Sequence, residues 1–335
     1  MRLRRFATIV LVAALVPGTF WRSDVKPIDP SLPVSFEQVS GPHASNGPLS
    51  VTGVWSVTSR HRMDGGYSAL EIDGEGGLLA ASDAGGLLRI SDAGTEQMAG
   101  RFASLASEGE LDKRGADIEA MTRDPETGQY WIAYERSNAV ERYSTELEAE
   151  ARHRPQAIRH WRANSGSESF LRLSDGRFLA IGEVATPRDS GRHEAVLFDS
   201  DPSEGAGVKA LVFTLIITGG KRPVDAAQLP DGRILILLRS LDSMFPPRFA
   251  NALAFLDPDQ IEEGATVSLG RQFALPEALP TENYEGMAVE EMARGKTRLW
   301  LISDNNFSSL QRSLLVALDY RLHQRKKARG SPARP

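Results

Sequence analysis

Short stretches of alternating apolar and polar residues run through most of the chain, the period of a half-buried strand. They are grouped. A weakly alternating strand, a turn and a more apolar strand ending in a charged residue recur as YSALEIDGEGGLLAASD (67–83), DIEAMTRDPETGQYWIAYE (117–135), ESFLRLSDGRFLAIGE (168–183), VDAAQLPDGRILILLR (224–239) and YEGMAVEEMARGKTRLWLISD (284–304). The first positions, Ser68, Glu119, Glu168, Asp225 and Glu285, are 51, 49, 57 and 60 residues apart. Asp73-Gly74, Asp175-Gly176 and Asp231-Gly232 supply turns, since Asp and Gly tolerate positive φ.

Two more strand candidates follow most copies: LLRIS (87–91) with MAGRFASL (98–105), AVLFD (195–199) with KALVFTLII (209–217), and ALAFLD (252–257) with TVSLGRQFAL (266–275). Four short antiparallel strands about every 50 residues describe propeller blades. The last copy has only three strands, ending at SLLVALD (313–319), and LSVTGVWSVTS (49–59) is available as its fourth. The reading is an all-β, five-bladed β-propeller closed by an N-terminal strand, with six blades if VSFEQVS (34–40) nucleates another sheet. PDQIEEG (258–264) and the stretch near Ser107–Lys113 are the helix candidates, and Trp131 and Trp300 are expected between blades.

The ends differ from this body. Arg2, Arg4 and Arg5 precede an apolar run from Phe6 to Val16, which suits an export signal or an uncleaved anchor over residues 1–22. A linker and lead-in strand span 23–48, the propeller 49–320 and a basic tail 321–335. The expected location is the periplasm or outside the cell, with membrane contact only through an uncleaved N-terminal segment.

The 335 residues contain no Cys, which excludes disulfides, thiolate zinc sites and a Cys nucleophile. The net charge of −5 argues against nucleic-acid binding. Without the cations of residues 1–5 and 321–335, the rest carries −14 and should attract cations.

Propeller geometry gives the repeat a chemical meaning. On a ring, Glu119, Glu168, Asp225 and Glu285 would converge at one mouth of the central channel. The last positions, Asp83, Glu135, Glu183, Arg239 and Asp304, would lie beside them, pairing Glu119 with Glu135, Glu168 with Glu183, Glu285 with Asp304 and Asp225 with Arg239. Like charges about 4 Å apart repel by about 4 kcal/mol at an effective dielectric of 20. A hard cation, protonation or arginine must relieve this; all-oxygen donors favour Ca²⁺, then Mg²⁺. Alternatively, each acid caps its own blade. The assigned metal ligands are Glu119, Glu168, Asp225 and Glu285. Glu135 and Asp304 are the candidate bases, and Arg239 and Arg312 would stabilise an anion. In the loop SDNNFSSLQR (303–312), Asn305, Asn306 and Gln311 are candidate substrate contacts or parts of a tight turn. No nucleophile elbow, phosphate loop or zinc helix is present, and the six His are expected on the surface or in loops.

GADIEAMTRDPETGQYWIAYERSNAVERY (115–143) and NYEGMAVEE…RLWLISDNNFSSLQRSLLVALD (283–319), with the intervening GSES…LSDGRFLAIGE stretch, resemble the bacterial phytase-like domain family. The family is named for an "esterase-like activity of phytase". The resemblance covers roughly residues 50–320. It implies an exported β-propeller and hydrolysis of a phosphate or carboxylic ester. The expected protein is thus a monomeric, metal-assisted hydrolase of small esters or phosphoesters without an organic cofactor. A non-catalytic binding propeller and a calcium-dependent lactonase-like enzyme are the alternatives.

Overall fold

A computed structural model describes residues 26–39, 44–105, 117–162, 166–244, 247–308 and 310–321. The N-terminal segment 1–22, the helix candidate at 107–113 and the tail from 322 lie outside the described residues.

Five sheets, antiparallel except for one added edge strand, form the five blades. Blade 1 runs outward from Tyr67–Ile72 through Leu78–Ser82 and Gly86–Ser91 to Ala99–Ser104. Blade 2 comprises Ile118–Arg123, Tyr130–Tyr134, Ala139–Tyr143 and Ala149–His153, and blade 3 Ser169–Arg172, Phe178–Ile181, Arg192–Phe198 and Ala210–Ile216. Blade 4 comprises Arg222–Gln228, Ile234–Met244, Pro247–Leu256 and Phe273–Ala274. In blade 5, Asn283–Met292, Lys296–Asp304 and Leu314–Tyr320 are completed by Leu49–Ser59, which pairs with Leu314–Tyr320. Val34–Gln38 adds an outer strand to Leu49–Ser59, so it builds no sixth blade. Each innermost strand packs on the next, and that of blade 5 on that of blade 1.

The alternation explains this architecture. Inner and second strands are buried on both faces, as in Leu78–Ser82 and Tyr130–Tyr134. Their side chains form clusters between neighbouring blades, where Trp131 and Trp300 are both buried. Outer strands such as Ala149–His153 are largely exposed.

Three sequence expectations change. Thr266–Ser268 does not edge blade 4; it pairs in parallel with Ala210–Ile216 of blade 3, and only Phe273–Ala274 remains on blade 4. The helix expected at 258–264 is one 3₁₀ turn, Pro258–Gln260. His61 and His193 are buried, not superficial, because each ring accepts a structural task. His61 stacks on Phe102, and Nδ1 of His193 hydrogen-bonds the carbonyl of Gly182.

Candidate functional site: a charged mouth of the channel

Four of the five innermost strands share a local distortion. Their pairing with the second strand slips at Ser68, Glu119, Val224 and Glu285, each an extra residue in a β-bulge. Bulges re-aim a side chain where the ladder is interrupted. Glu168 holds the equivalent place in blade 3, just before the pair Ser169–Ile181. Register therefore gives the ring as Ser68, Glu119, Glu168, Val224 and Glu285. Asp225 falls one residue later, opposite Leu237, and leaves the ring. A one-residue step in a strand turns the side chain to the other face. There its carboxylate accepts the N–H groups of Ala226 at 2.7 Å and, across the blade seam, Met287 at 2.6 Å.

Blades 1 to 3 form an acidic half of the mouth. Carboxylate oxygens of Asp117, Glu119 and Glu135 lie within 4.8 Å of one another. The strand pairing explains this: the Glu135 N–H donates to the carbonyl of Asp117, so the residue preceding the bulged strand sits beside the one following the second strand. Gly166 lets the loop before blade 3 approach, since a Cβ there would stand 3.0 Å from Glu135 Cα. Asp117 is also paired with Arg136.

Glu119, Glu135 and the neighbouring Glu168 are held against ionisation. Glu119 is pushed well up by burial and then by the charges of Glu168, Glu135, Asp117 and Asp83. Glu168 is raised by burial and by Glu183, although Arg239 opposes. Glu135 is raised to about 7, first by burial and then by Asp117 and Glu183. A hydrogen bond from Glu119 and one from the Gly166 N–H favour its ionised form. Close carboxylates that resist ionisation either share protons or receive a cation.

Blades 4 and 5 form an arginine-filled half. With Val224 at the bulge, blade 4 contributes no acid, and Arg239 reaches into the gap. Its guanidinium contacts Glu285, donates to Asn283 Oδ1 at 2.5 Å and lies 3.8 Å from Glu183. Arg222 donates to Glu183 at 2.9 Å. Thus Arg239 pairs with Glu285 and Glu183, not with Asp225. Glu285 and Asp304 are joined through Asn283, whose Nδ2 lies 3.0 Å from Glu285 and 3.4 Å from Asp304.

The loop after Asp304 is largely occupied with its own folding. Asn305 Oδ1 accepts the N–H groups of Phe307 and of Gly66 in blade 1. Asp304 accepts the Asn306 N–H at 2.6 Å, and Asn306 Nδ2 donates to Gln311. Arg312 donates to Glu282 at 2.7 Å, so its guanidinium is committed there.

Sequence reasoning passed over Asp117, Arg222 and Asn283. Each precedes or opens an inner strand, opposite Glu135, Arg239 and Asp304 respectively. The rule that strand starts lie beside strand ends, carried one or two residues upstream, finds all three.

The sequence pattern of the phytase-like family, described as "Esterase-like activity of phytase", matches residues 64–307, from before the first bulge to the loop after Asp304. The chain belongs to this phytase-like family. No curated protein matches it by sequence. Similar solved structures include hydrazine synthase of Kuenenia stuttgartiensis at 12% identity, with a TM-score of 0.39 and coverage of 73% of this chain and 58% of that one. A gluconolactonase of Xanthomonas campestris is 10% identical, with a TM-score of 0.43 and coverage of 85% and 100%. A mannose phosphorylase of Leishmania mexicana is 14% identical, with a TM-score of 0.42 and coverage of 77% and 85%. This phytase-like chain thus spans 58% of the length of the first of them.

Proposed function

We propose that this phytase-like propeller is a cation-assisted hydrolase of phosphate or carboxylic esters, working at the acidic half of the mouth. The observation that carries the reading is the convergence of Asp117, Glu119 and Glu135 within 4.8 Å, beside two arginines. Three carboxylates without His or Cys fit a hard divalent cation, Ca²⁺ before Mg²⁺. Bound there, it would polarise the ester or phosphoryl oxygen and lower the pKa of a water.

The chain's own residues have separate tasks. Asp117, Glu119 and Glu135 hold the cation, which moves Glu135 from base to ligand. Glu168, held against ionisation by burial and by Glu183, can hand its proton to the leaving oxygen. Arg222 and Arg239 face the acidic half from blade 4 and can balance negative charge developing on the substrate. Glu285, Asn283 and Asp304 position Arg239. We place this activity outside the cytoplasm, on the strength of the arginine-led apolar segment that opens the chain.

The test pairs calorimetric titration of chelator-treated protein with Ca²⁺ and Mg²⁺ against turnover of phosphate esters, carboxylic esters and lactones. Glu119→Gln and Glu135→Gln should each weaken cation binding at least about tenfold, equivalent to about 1.4 kcal/mol, and remove turnover. Glu168→Gln should keep the cation and lose about 10²-fold in kcat, the usual scale of general acid–base assistance. Unchanged cation binding in both ligand variants would refute the assignment.

A further inference from the structure

A second concavity opens on the same face, next to the arginine-filled half. The loops at 184–191 in blade 3 and 217–222, which leads into blade 4, enclose a cavity of about 300 Å³. Arg188, Lys221 and Arg222 line it, against one acid, Asp189. No carboxylate among the described residues forms an ion pair with Arg188 or Lys221. Arg222 is shared, since its guanidinium holds Glu183 of the mouth at 2.9 Å. The cavity and the mouth therefore share the Arg222–Glu183 ion pair.

The backbone adds to this charge. Gly219 and Gly220 both lie in the left-handed region, with φ of +78° and +66°. A Cβ at Gly220 would meet nothing, so conformation and not crowding calls for glycine there. Among the described residues, the N–H groups of 218–220 donate to no protein acceptor. Successive free N–H groups in such a turn form an anion-binding concavity. Two cations without ion-pair partners among the described residues, a third at the rim and a glycine turn with free N–H groups combine positive charge with space.

We propose that this cavity is an oxyanion subsite that receives an anionic substituent of the substrate, away from the bond that is cleaved. The substrate class is then an ester carrying a second phosphoryl, sulfonyl or carboxylate group. The acidic half of the mouth would repel such a molecule, and the subsite gives its charge a place beyond Glu183. Charge-assisted contacts from arginine and backbone N–H groups are the interactions that recognise oxyanions. As a statement about substrate, the proposal rests on the hydrolase reading. As a statement about binding, it stands on this cavity alone.

The experiment titrates the full chain with inorganic phosphate, sulfate and acetate, followed by calorimetry and by chemical-shift changes at Gly219 and Gly220. Wild-type protein should bind at least one of these oxyanions with shifts at both glycines, and the three arms rank phosphoryl, sulfonyl and carboxylate groups. The double variant Arg188→Gln/Lys221→Gln should weaken that binding at least tenfold, while Asp189→Asn should tighten it. Ca²⁺ titration of the double variant reports the mouth separately and should match wild type. With an ester that carries the preferred anion, the double variant should raise KM more than it lowers kcat. No oxyanion binding below about 10 mM in wild type, or binding that the double variant leaves intact, overturns the subsite whatever happens at the mouth. Oxyanion binding with these responses, in a protein that cleaves no ester, supports the subsite and refutes only the hydrolase reading.

Discussion

Glu71 lies further along the innermost strand of blade 1, away from the mouth acids. Its carboxyl is pushed up to about 8, first by burial, with the N–H of Ile72 and the charge of Arg123 pulling the other way. The unfolded chain ionises this group near 4.5. A folded pKa above the unfolded one contributes stability that is complete below about 4.5 and is lost as pH rises through about 8. Gln has the same shape and never ionises. Glu71→Gln should therefore match wild type in thermal midpoint at pH 4 and exceed it at pH 8.5 by several degrees, since each kcal/mol shifts a chain of this size by about 1–2 °C. Equal midpoints at both values would mean that Glu71 ionises freely in the fold. Asp225 is a second buried acid raised by its surroundings, chiefly burial, with the charge of Glu71 adding to it. Its two backbone N–H partners make it a seam between blades 4 and 5, and no change at the mouth should alter it.

At the scale of the element, the decisive feature is the bulge. Gly286 follows the bulged Glu285, where blade 2 has Ala120 after Glu119. A Cβ on Gly286 would stand 2.8 Å from the carbonyl carbon of Ala69 and 2.9 Å from the nitrogen of Leu70, both backbone atoms of blade 1. Backbone cannot swing aside as a flexible side chain can. Gly286→Ala should therefore cost about 1–3 kcal/mol, the usual range for overpacking. Ala120→Gly should cost only about 1 kcal/mol through chain entropy, and urea unfolding of the two variants compares them. The same bulge marks where the sequence could and could not be read. Alternation and spacing disclosed five hairpins and their order, because burial on both faces leaves continuous apolar runs. The Ser-Asp-Gly and Pro-Asp-Gly turns were legible too, although only glycine takes positive φ there, at Gly176 and Gly232. The ring was legible at Glu119, Glu168 and Glu285 and misplaced at Asp225. An inserted residue shifts the facing of a side chain without changing the apolar pattern around it. Asp117 and Asn283 stayed hidden because they precede their bulges, where no alternation remains to count. The move of Thr266–Ser268 to blade 3 was equally unreadable, since three residues of strand fit any open edge.

Closure belongs to the whole molecule. Leu49–Ser59 reaches blade 5 from the far end of the chain; Thr52 Oγ1 donates to the carbonyl of Ala317, 265 residues away. Without this strand, Leu314–Tyr320 would present an open, apolar edge, which invites pairing with other chains. Ring closure also couples the blades, because the innermost strand of blade 5 packs on that of blade 1 and each of the others on its neighbours. The mouth depends on that coupling: its acidic half comes from blades 1 to 3, and the arginine opposite is held by Glu285 of blade 5. Val54 is buried in the closing strand opposite Val316, whereas Thr58 is exposed and faces Ser35. A carboxylate at position 54 would have no partner, and burying one costs several kcal/mol, a large share of the roughly 5–15 kcal/mol that holds a domain together. Val54→Asp should therefore lower the unfolding midpoint in urea sharply and abolish Ca²⁺ binding once the ring opens. Thr58→Asp should stay within about 0.5 kcal/mol of wild type, as surface changes do. Tryptophan fluorescence and far-UV circular dichroism of Val54→Asp should fall in one shared transition, because Trp55, Trp131 and Trp300 report on the closing strand, blade 2 and blade 5 together. A variant that loses only part of the fluorescence change while the remaining blades unfold at the wild-type midpoint would show that the ring stands without its closing strand.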